Sequence, residues 1–173
     1  MGIFGKSKAP SKAHPAHLKS KVTPIELDTK LFNALINVMS DQAGMTKHKN
    51  IAYSGRNFSQ DIDIVGESNY QEELKGFLKT NWIYGFLVPE TDNEFDKNAI
   101  ALYLLDTKPK IVEVVKVGYL PKALAKKVAK PIADLLVKKA QIIPVLAQTT
   151  GGTSDKPNIG VSARVRSDSV AFL

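Results

Sequence analysis

The sequence predicts a mainly β protein with some α-helix: a small β-barrel that contains one helical region and follows an N-terminal helix. Short segments rich in β-branched and aromatic residues recur after residue 60, and turn-forming residues separate them. One longer segment, from Leu120 to Lys139, has apolar residues at helical spacing instead. Short strands, frequent turns and a single helix are together typical of a small barrel.

The strands follow from apolar runs that end at turn signals. Ile62 begins an alternating segment that runs into Gly66, and a second run stops at Pro89, whose ring removes the N–H that a sheet requires. A turn-rich stretch separates the last two strands. The predicted strands are 62–65, 82–88, 99–105, 111–117, 142–147 and 159–165.

An amphipathic helix is predicted at 24–40. Thr23 can cap it, Pro24 fits its first turn, and Glu26 completes a capping box. Its apolar face must pack on the barrel or on a second copy of the chain. Packing on a second copy would make a homodimer. The residues of that face are Leu27, Leu31, Leu35 and Val38.

The helix predicted within the barrel has two different faces. Its apolar stripe comprises Leu120, Leu124, Val128, Ile132 and Leu135. Lys122, Lys126 and Lys130 follow one another at a spacing of four on another face. Because Pro131 lacks an N–H, we expect a kink there or a break into two helices.

Basic residues are concentrated in two parts of the chain. Residues 1–22 contain five Lys and no acid, and residues 108–139 contain nine Lys and two acids. Such localisation favours a polyanionic partner, although lysine-rich tails and helix faces also serve solubility alone. The predicted organisation is a disordered basic tail at 1–22, a helix and connector at 23–57, the barrel at 58–166 and a C-terminal tail at 167–173.

Several classes of chemistry are disfavoured. The chain has no cysteine, its His residues lack a metal-ligand spacing, and no phosphate-binding loop of an ATPase is present. Consecutive acids in the turn at 90–96 point in different directions and are expected to be solvated, which argues against a metal-dependent nuclease. We therefore expect no catalysis, no cofactor, no metal and no membrane segment, in a cytoplasmic protein.

The polar turn at 88–98 carries a single aromatic residue, Phe95, and leads directly into an apolar strand. Phe95 either fills the end of the barrel or is exposed as a stacking surface for a base. A second candidate segment is Tyr119–Lys122, where a helix N-terminus and the Lys122 ammonium would suit phosphate.

Three segments resemble the HIRAN family, a small β-rich module that occurs in some DNA-repair translocases and alone in bacterial and phage proteins. They are Ile-Val-Gly-Glu-Ser-Asn-Tyr at 64–70, Asn-Glu-Phe-Asp-Lys-Asn-Ala-Ile at 93–100 and Val-Gly-Tyr-Leu-Pro-Lys at 117–122. The resemblance covers about residues 60–165 and suggests a stand-alone member. It implies an OB-like or SH3-like barrel that binds the 3′ end of single-stranded DNA.

The resemblance also assigns roles to residues. It implies that Phe95 stacks on a terminal base and that Asp96 accepts the 3′-hydroxyl, with Asn93, Tyr119 and Lys122 lining the same pocket. Members that bind DNA ends have Arg-Tyr where this chain has Ser68 and Asn69, followed by Tyr70. We therefore expect only a weak preference for a free 3′ end.

These observations favour a non-catalytic module that binds nucleic acid, single-stranded DNA or DNA 3′ ends, in repair or replication. The alternative is a protein-interaction module that uses the apolar helix at 25–39 and the barrel surface. The candidate binding residues are Ser68, Asn69, Tyr70, Asn93, Phe95, Asp96, Tyr119, Lys122 and Lys126.

Overall fold

A six-stranded antiparallel sheet, curled into a half-barrel, forms the centre of the computed structural model. The structure describes residues 61–78, 80–106, 113–139 and 141–165. The predicted tails and the predicted helix at 24–40 lie outside these residues. The mainly β class with added helix is therefore confirmed for the described part of the chain.

The strands are close to those predicted from the sequence. Their bounds are β1 (Ile62–Asp63), β2 (Ile83–Pro89), β3 (Ile100–Asp106), β4 (Glu113–Tyr119), β5 (Ile143–Gly151) and β6 (Ile159–Val165). Their order across the sheet is β1-β6-β5-β2-β3-β4, and all neighbours are antiparallel. β5 is longer than predicted, because pairing with β6 continues from Val145 to Gly151.

The two edges of the sheet meet at one pair of residues. Val65, just after β1, and Tyr119, at the end of β4, exchange two backbone hydrogen bonds of 2.9 Å. Gly118 makes this approach possible, because a Cβ on it would lie 2.6 Å from the Ile64 side chain and 2.8 Å from the Val65 carbonyl oxygen. Its φ of 152° also lies where other residues are strained.

Apolar side chains are buried on both faces of the sheet, as the alternation along β2 and β3 requires. The larger core cluster combines one face with the long helix, Lys122–Lys139, through Val128 and Ile132. The opposite face has a smaller cluster that includes Phe86 and Tyr103, whose rings stack with centroids 5.8 Å apart. The sheet thus has an apolar core cluster on each of its two faces.

The long helix is continuous, so the predicted break at Pro131 is wrong. Val128 and Ile132, on either side of the missing N–H, are both buried in the core. Tertiary packing of this stripe therefore outweighs the loss of one helical hydrogen bond.

A short helical segment that the sequence did not predict follows β1. A 3-10 helix at Glu67–Tyr70 leads into an α-helix at Gln71–Lys75. Gly66, with φ of 79°, turns the chain into it. The Gln71 amide then fixes the segment to β6, because it donates to the Ile159 carbonyl (2.9 Å) and accepts from the Ile159 N–H (2.8 Å).

Candidate nucleic-acid interface

The connection between β2 and β3, residues 90–99, is a closely hydrogen-bonded turn that we call the Phe95 turn. At its base the Glu90 N–H donates to the Ala99 carbonyl at 2.8 Å. Within it, Asn93 Oδ1 accepts from the N–H groups of Phe95 (3.0 Å) and Asp96 (3.1 Å). Asp96 Oδ1 accepts in turn from the Asn98 N–H at 2.9 Å. Such side-chain-to-backbone bonds hold the turn in one conformation.

The Phe95 ring projects from this turn into solvent. Its side chain is 93% exposed, the largest value among the exposed large hydrophobic residues of the described chain. The interpretation in which Phe95 fills the end of the barrel is therefore wrong. The ring is instead available as a flat apolar surface.

A half-buried polar cluster lies beneath the turn, and we call it the Glu90 cluster. Glu90 Oε1 accepts from the Tyr103 hydroxyl (3.2 Å) and the Lys116 ammonium (3.0 Å). Glu90 Oε2 accepts from the Tyr119 hydroxyl (3.1 Å) and the Asn93 amide (3.3 Å). The expectation that the acids of the turn are all solvated is therefore wrong for Glu90, because its side chain is only 18% exposed.

Lys116 supplies the positive charge of this cluster. Besides its ion pair with Glu90, it donates to the Tyr119 hydroxyl at 3.0 Å. It also lies 5.2 Å from the Tyr119 ring centroid and 5.9 Å from that of Tyr70, within range of cation–π attraction. The pair neutralises Glu90, so the cluster as a whole has no net charge.

The surroundings of the cluster shift three pKa values in ways that maintain this charge state. Burial and the hydrogen bond with Tyr119 raise the pKa of Tyr70. Burial and the Glu90 carboxylate raise the pKa of Tyr103 to about 12. Burial alone would lower the pKa of Lys116, but its bonds to Tyr119 and Glu90 outweigh that and raise it. Tyr70 and Tyr103 thus stay neutral and Lys116 stays charged at neutral pH.

Ser68 and Asn69 lie on the 3-10 helix and are exposed. The Asn69 amide is occupied locally, since it donates to the Gly66 carbonyl at 3.3 Å. Ser68 lines an open cavity of about 330 Å³ between the 3-10 helix and the β5–β6 hairpin, together with Glu67, Thr150 and Lys156. Neither residue takes part in the hydrogen bonds of the Glu90 cluster, whereas Tyr70, next along the chain, touches it through Lys116.

Lys122 and Lys126 lie on the first turns of the long helix, soon after Tyr119. Both are exposed, and neither forms an ion pair within the described residues. Lys130, further along the same face, is different, because Asp134 pairs with it and with Lys138. The unpaired positive charge of this face is therefore at the helix N-terminus.

The structure brings some of the predicted site residues together and leaves others apart. Tyr70, Asn93 and Tyr119 meet around Lys116 and Glu90, and Phe95 and Asp96 are tied to them through Asn93. Three members of the cluster were not among the sequence-predicted site residues: Glu90, Tyr103 and Lys116. One signal marked Lys116, which is a charged residue within the apolar strand segment Val114–Val117.

The described residues contain no group of three or more His, Cys, Asp or Glu side chains that could hold a metal ion. None of their helices combines the length and the apolar character needed to cross a bilayer.

Comparison with known proteins identifies no relative. No family model, no curated protein and no solved structure matches this chain. The resemblance to the HIRAN family therefore rests on the three sequence segments alone.

Proposed function

We propose that this protein binds single-stranded nucleic acid, in particular single-stranded DNA or DNA 3′ ends, through the Phe95 turn and without catalysis. The observation that carries the proposal is the 93% exposure of Phe95 on a turn whose backbone is held by Asn93 and Asp96. An aromatic ring presented in this way stacks on any base, and each stacked base contributes about 1–3 kcal/mol.

The distribution of charge supports the same proposal. Lys122 and Lys126 are exposed and form no ion pair with any described residue, so they can meet phosphate, and the N–H groups at the start of the long helix add partial positive charge. Glu90 does not repel a polyanion strongly, because Lys116 neutralises it. The exposed acids Asp92 and Glu94 oppose binding, so stacking has to supply much of the affinity.

The fold is consistent with this function. The contact between Val65 and Tyr119 supports a small closed barrel of the OB type, a fold whose sheet face and loops commonly bind oligonucleotides. Together with the HIRAN-like segments, it favours a HIRAN-like module with a role in DNA repair or replication.

The test is a titration of labelled single-stranded oligonucleotides with the full chain at two salt concentrations. We expect Phe95→Ala to weaken binding of every sequence by roughly 1–3 kcal/mol, since every base has a face to stack on. Val137→Ala is the matched control, because Val137 is also an exposed apolar residue, 80% exposed, but lies near the end of the long helix. Lys122→Ala should weaken binding and reduce its salt dependence.

Two outcomes would contradict the proposal. If the wild-type chain binds no oligonucleotide, or if Phe95→Ala and Val137→Ala behave alike, the turn is not a stacking site. Magnesium-dependent cleavage of the oligonucleotide in the same tubes would instead indicate a nuclease.

The alternative function, docking of a protein partner, also draws on the exposure of Phe95, since aromatic residues often anchor protein interfaces. The helix at 25–39 that this alternative invokes lies outside the described residues. A partner that binds wild type but not Phe95→Ala, in the absence of any oligonucleotide binding, would favour it.

A further inference from the structure

Asn93 connects the exposed turn with the half-buried cluster below it. Its Oδ1 accepts the N–H groups of Phe95 and Asp96, while its Nδ2 donates to Glu90 Oε2 at 3.3 Å and approaches the Tyr119 hydroxyl at 3.5 Å. The side-chain amide of Asn93 therefore holds the Phe95 turn and also belongs to the Glu90 cluster. Any change that reorients it alters the backbone that presents Phe95.

Glu90 in turn determines how the Asn93 amide is oriented. Donors from Asn93, Tyr103, Lys116 and Tyr119 converge on its two oxygens. A carboxylate accepts hydrogen bonds on both of its oxygen atoms, whereas the side-chain amide of a glutamine would have a single acceptor oxygen. The carboxylate thus fixes which edge of Asn93 faces inward and leaves Oδ1 for the turn.

We propose that Glu90 is a positioning residue that holds the Phe95 ring in its binding orientation through Asn93, without contact with the ligand. That the ligand is single-stranded nucleic acid rests on the function proposed above. The inference about the turn itself does not depend on the ligand.

This role makes a prediction opposite to that of simple electrostatics. Removal of a negative charge close to a polyanion site should strengthen binding if charge alone decides. Glu90→Gln should instead weaken Phe95-dependent binding by about tenfold, because at least one of the four donors loses its acceptor and the turn loosens.

The direct test measures the turn in the free protein. Solvent-exchange NMR on the full chain should show the amide hydrogens of Phe95 and Asp96 exchanging about tenfold faster in Glu90→Gln than in wild type. The amide of Ile64, which bonds to the Val161 carbonyl of β6 at 2.9 Å and takes no part in the hydrogen bonds of the Glu90 cluster, reports whether the fold as a whole is intact. Its exchange should not change.

A reciprocal pair of substitutions separates positioning from a general loss of structure. Asn93→Asp keeps an oxygen for the two turn N–H groups but sets a second carboxylate against Glu90, so it should also speed exchange. In the double variant Glu90→Gln/Asn93→Asp the introduced amide can donate to the introduced carboxylate. We expect its Phe95 and Asp96 amides to exchange more slowly than in either single variant.

Unchanged exchange at Phe95 and Asp96 in Glu90→Gln, or faster exchange in the double variant than in both singles, would overturn the inference. A wild-type chain that binds no oligonucleotide would overturn the proposed function instead, while the exchange rates would still decide the role of Glu90. Tighter oligonucleotide binding by Glu90→Gln would show that its charge, and not its hydrogen bonds, governs the site.

Discussion

The two carboxylate oxygens of Asp96 differ in their hydrogen bonding within the described residues. Oδ1 accepts from the Asn98 N–H at 2.9 Å, and Oδ2 has no hydrogen bond to any residue that the structure describes. An acceptor that is fixed in direction and directly follows Phe95 in the chain is suited to a terminal hydroxyl group. If the turn binds DNA ends as proposed, this oxygen is the candidate for telling them apart.

Asp96→Asn tests that role with little disturbance of the turn, since the amide oxygen can still accept from Asn98. We expect it to weaken binding of oligonucleotides with a free 3′-hydroxyl by about 1 kcal/mol or more. Binding of 3′-phosphate ends should be unchanged or stronger, because a charge that repels phosphate has been removed. The measurement is a pair of titrations with matched oligonucleotides that differ only at the 3′ end.

The wild-type preference for a free 3′-hydroxyl should itself be small, because Ser68 and Asn69 supply neither a guanidinium nor a ring. If wild type and Asp96→Asn bind blocked and free ends equally, Asp96 only shapes the turn.

At the level of single residues, the sequence indicated candidate segments but not the contacts that their residues make. It identified Phe95 as unusual, yet it left open whether the ring is exposed, because burial depends on contacts with distant residues. It grouped Glu90 with the solvated acids, since the tyrosines and the lysine that surround it come 13 to 29 positions later in the chain. Such contacts are set by how the strands pair with one another, which a local sequence pattern does not show.

Among the elements, the Glu90 cluster joins four parts of the fold. It links the end of β2 with β3 through Tyr103, with β4 through Lys116 and with the 3-10 helix through Tyr70. These contacts require Lys116 to be charged and Tyr70 and Tyr103 to be protonated. The stability of this side of the sheet should therefore depend on pH in the alkaline range.

We expect the free energy of unfolding to fall as pH rises from about 10 to about 12. Unfolded Tyr103 loses its proton near the ordinary pKa of 10.0, whereas the folded protein keeps it up to a pKa of about 12. The folded state then binds more protons than the unfolded state, so stability decreases with pH. Lys116 acts in the same direction, because its pKa is also raised in the fold.

Urea unfolding of wild type and Tyr103→Phe between pH 7 and pH 11 checks this expectation. The variant should be less stable at pH 7 by roughly 0.5–1.5 kcal/mol, owing to the lost hydrogen bond, but should lose less stability as pH rises. If the free energies of unfolding of the two proteins fall in parallel with pH, Tyr103 is not the source of the pH dependence.

The elements themselves were largely predictable, because apolar alternation and turn residues are local signals. All six strands were expected within a few residues of their bounds. The segment Glu67–Lys75 was not, because it is short and buries only Leu74, so that no helical period could be recognised. The break expected at Pro131 failed because packing on the core is not visible in a local pattern.

For the whole molecule, charge is unevenly distributed along the chain. Residues 1–22 contribute five Lys, whereas the Phe95 turn is rich in acids. The sequence predicts a polyanion partner from this pattern, but it cannot say how the basic segments are arranged around the turn.

Deletion of residues 2–21 should lower the affinity for all oligonucleotide sequences alike and flatten the dependence of log K on log salt. For single strands the slope should become shallower by up to about 0.7 for each lysine that meets a phosphate. Filter binding of wild type and the deletion variant at several salt concentrations provides the measurement. An unchanged slope would mean that the tail is not an electrostatic arm, whatever the role of Phe95.

The place of β1 in the sheet has a consequence for how the protein is made. Ile62 pairs with Ala163, and Asp61 forms an ion pair with Arg164, whose guanidinium stacks on Trp82. Because the ribosome synthesises the chain from its N-terminus, β1 leaves the exit tunnel long before β6, its strand partner among the described residues. This pairing therefore cannot form until β6 has been synthesised, and contacts so distant in the sequence are of the kind that slows folding.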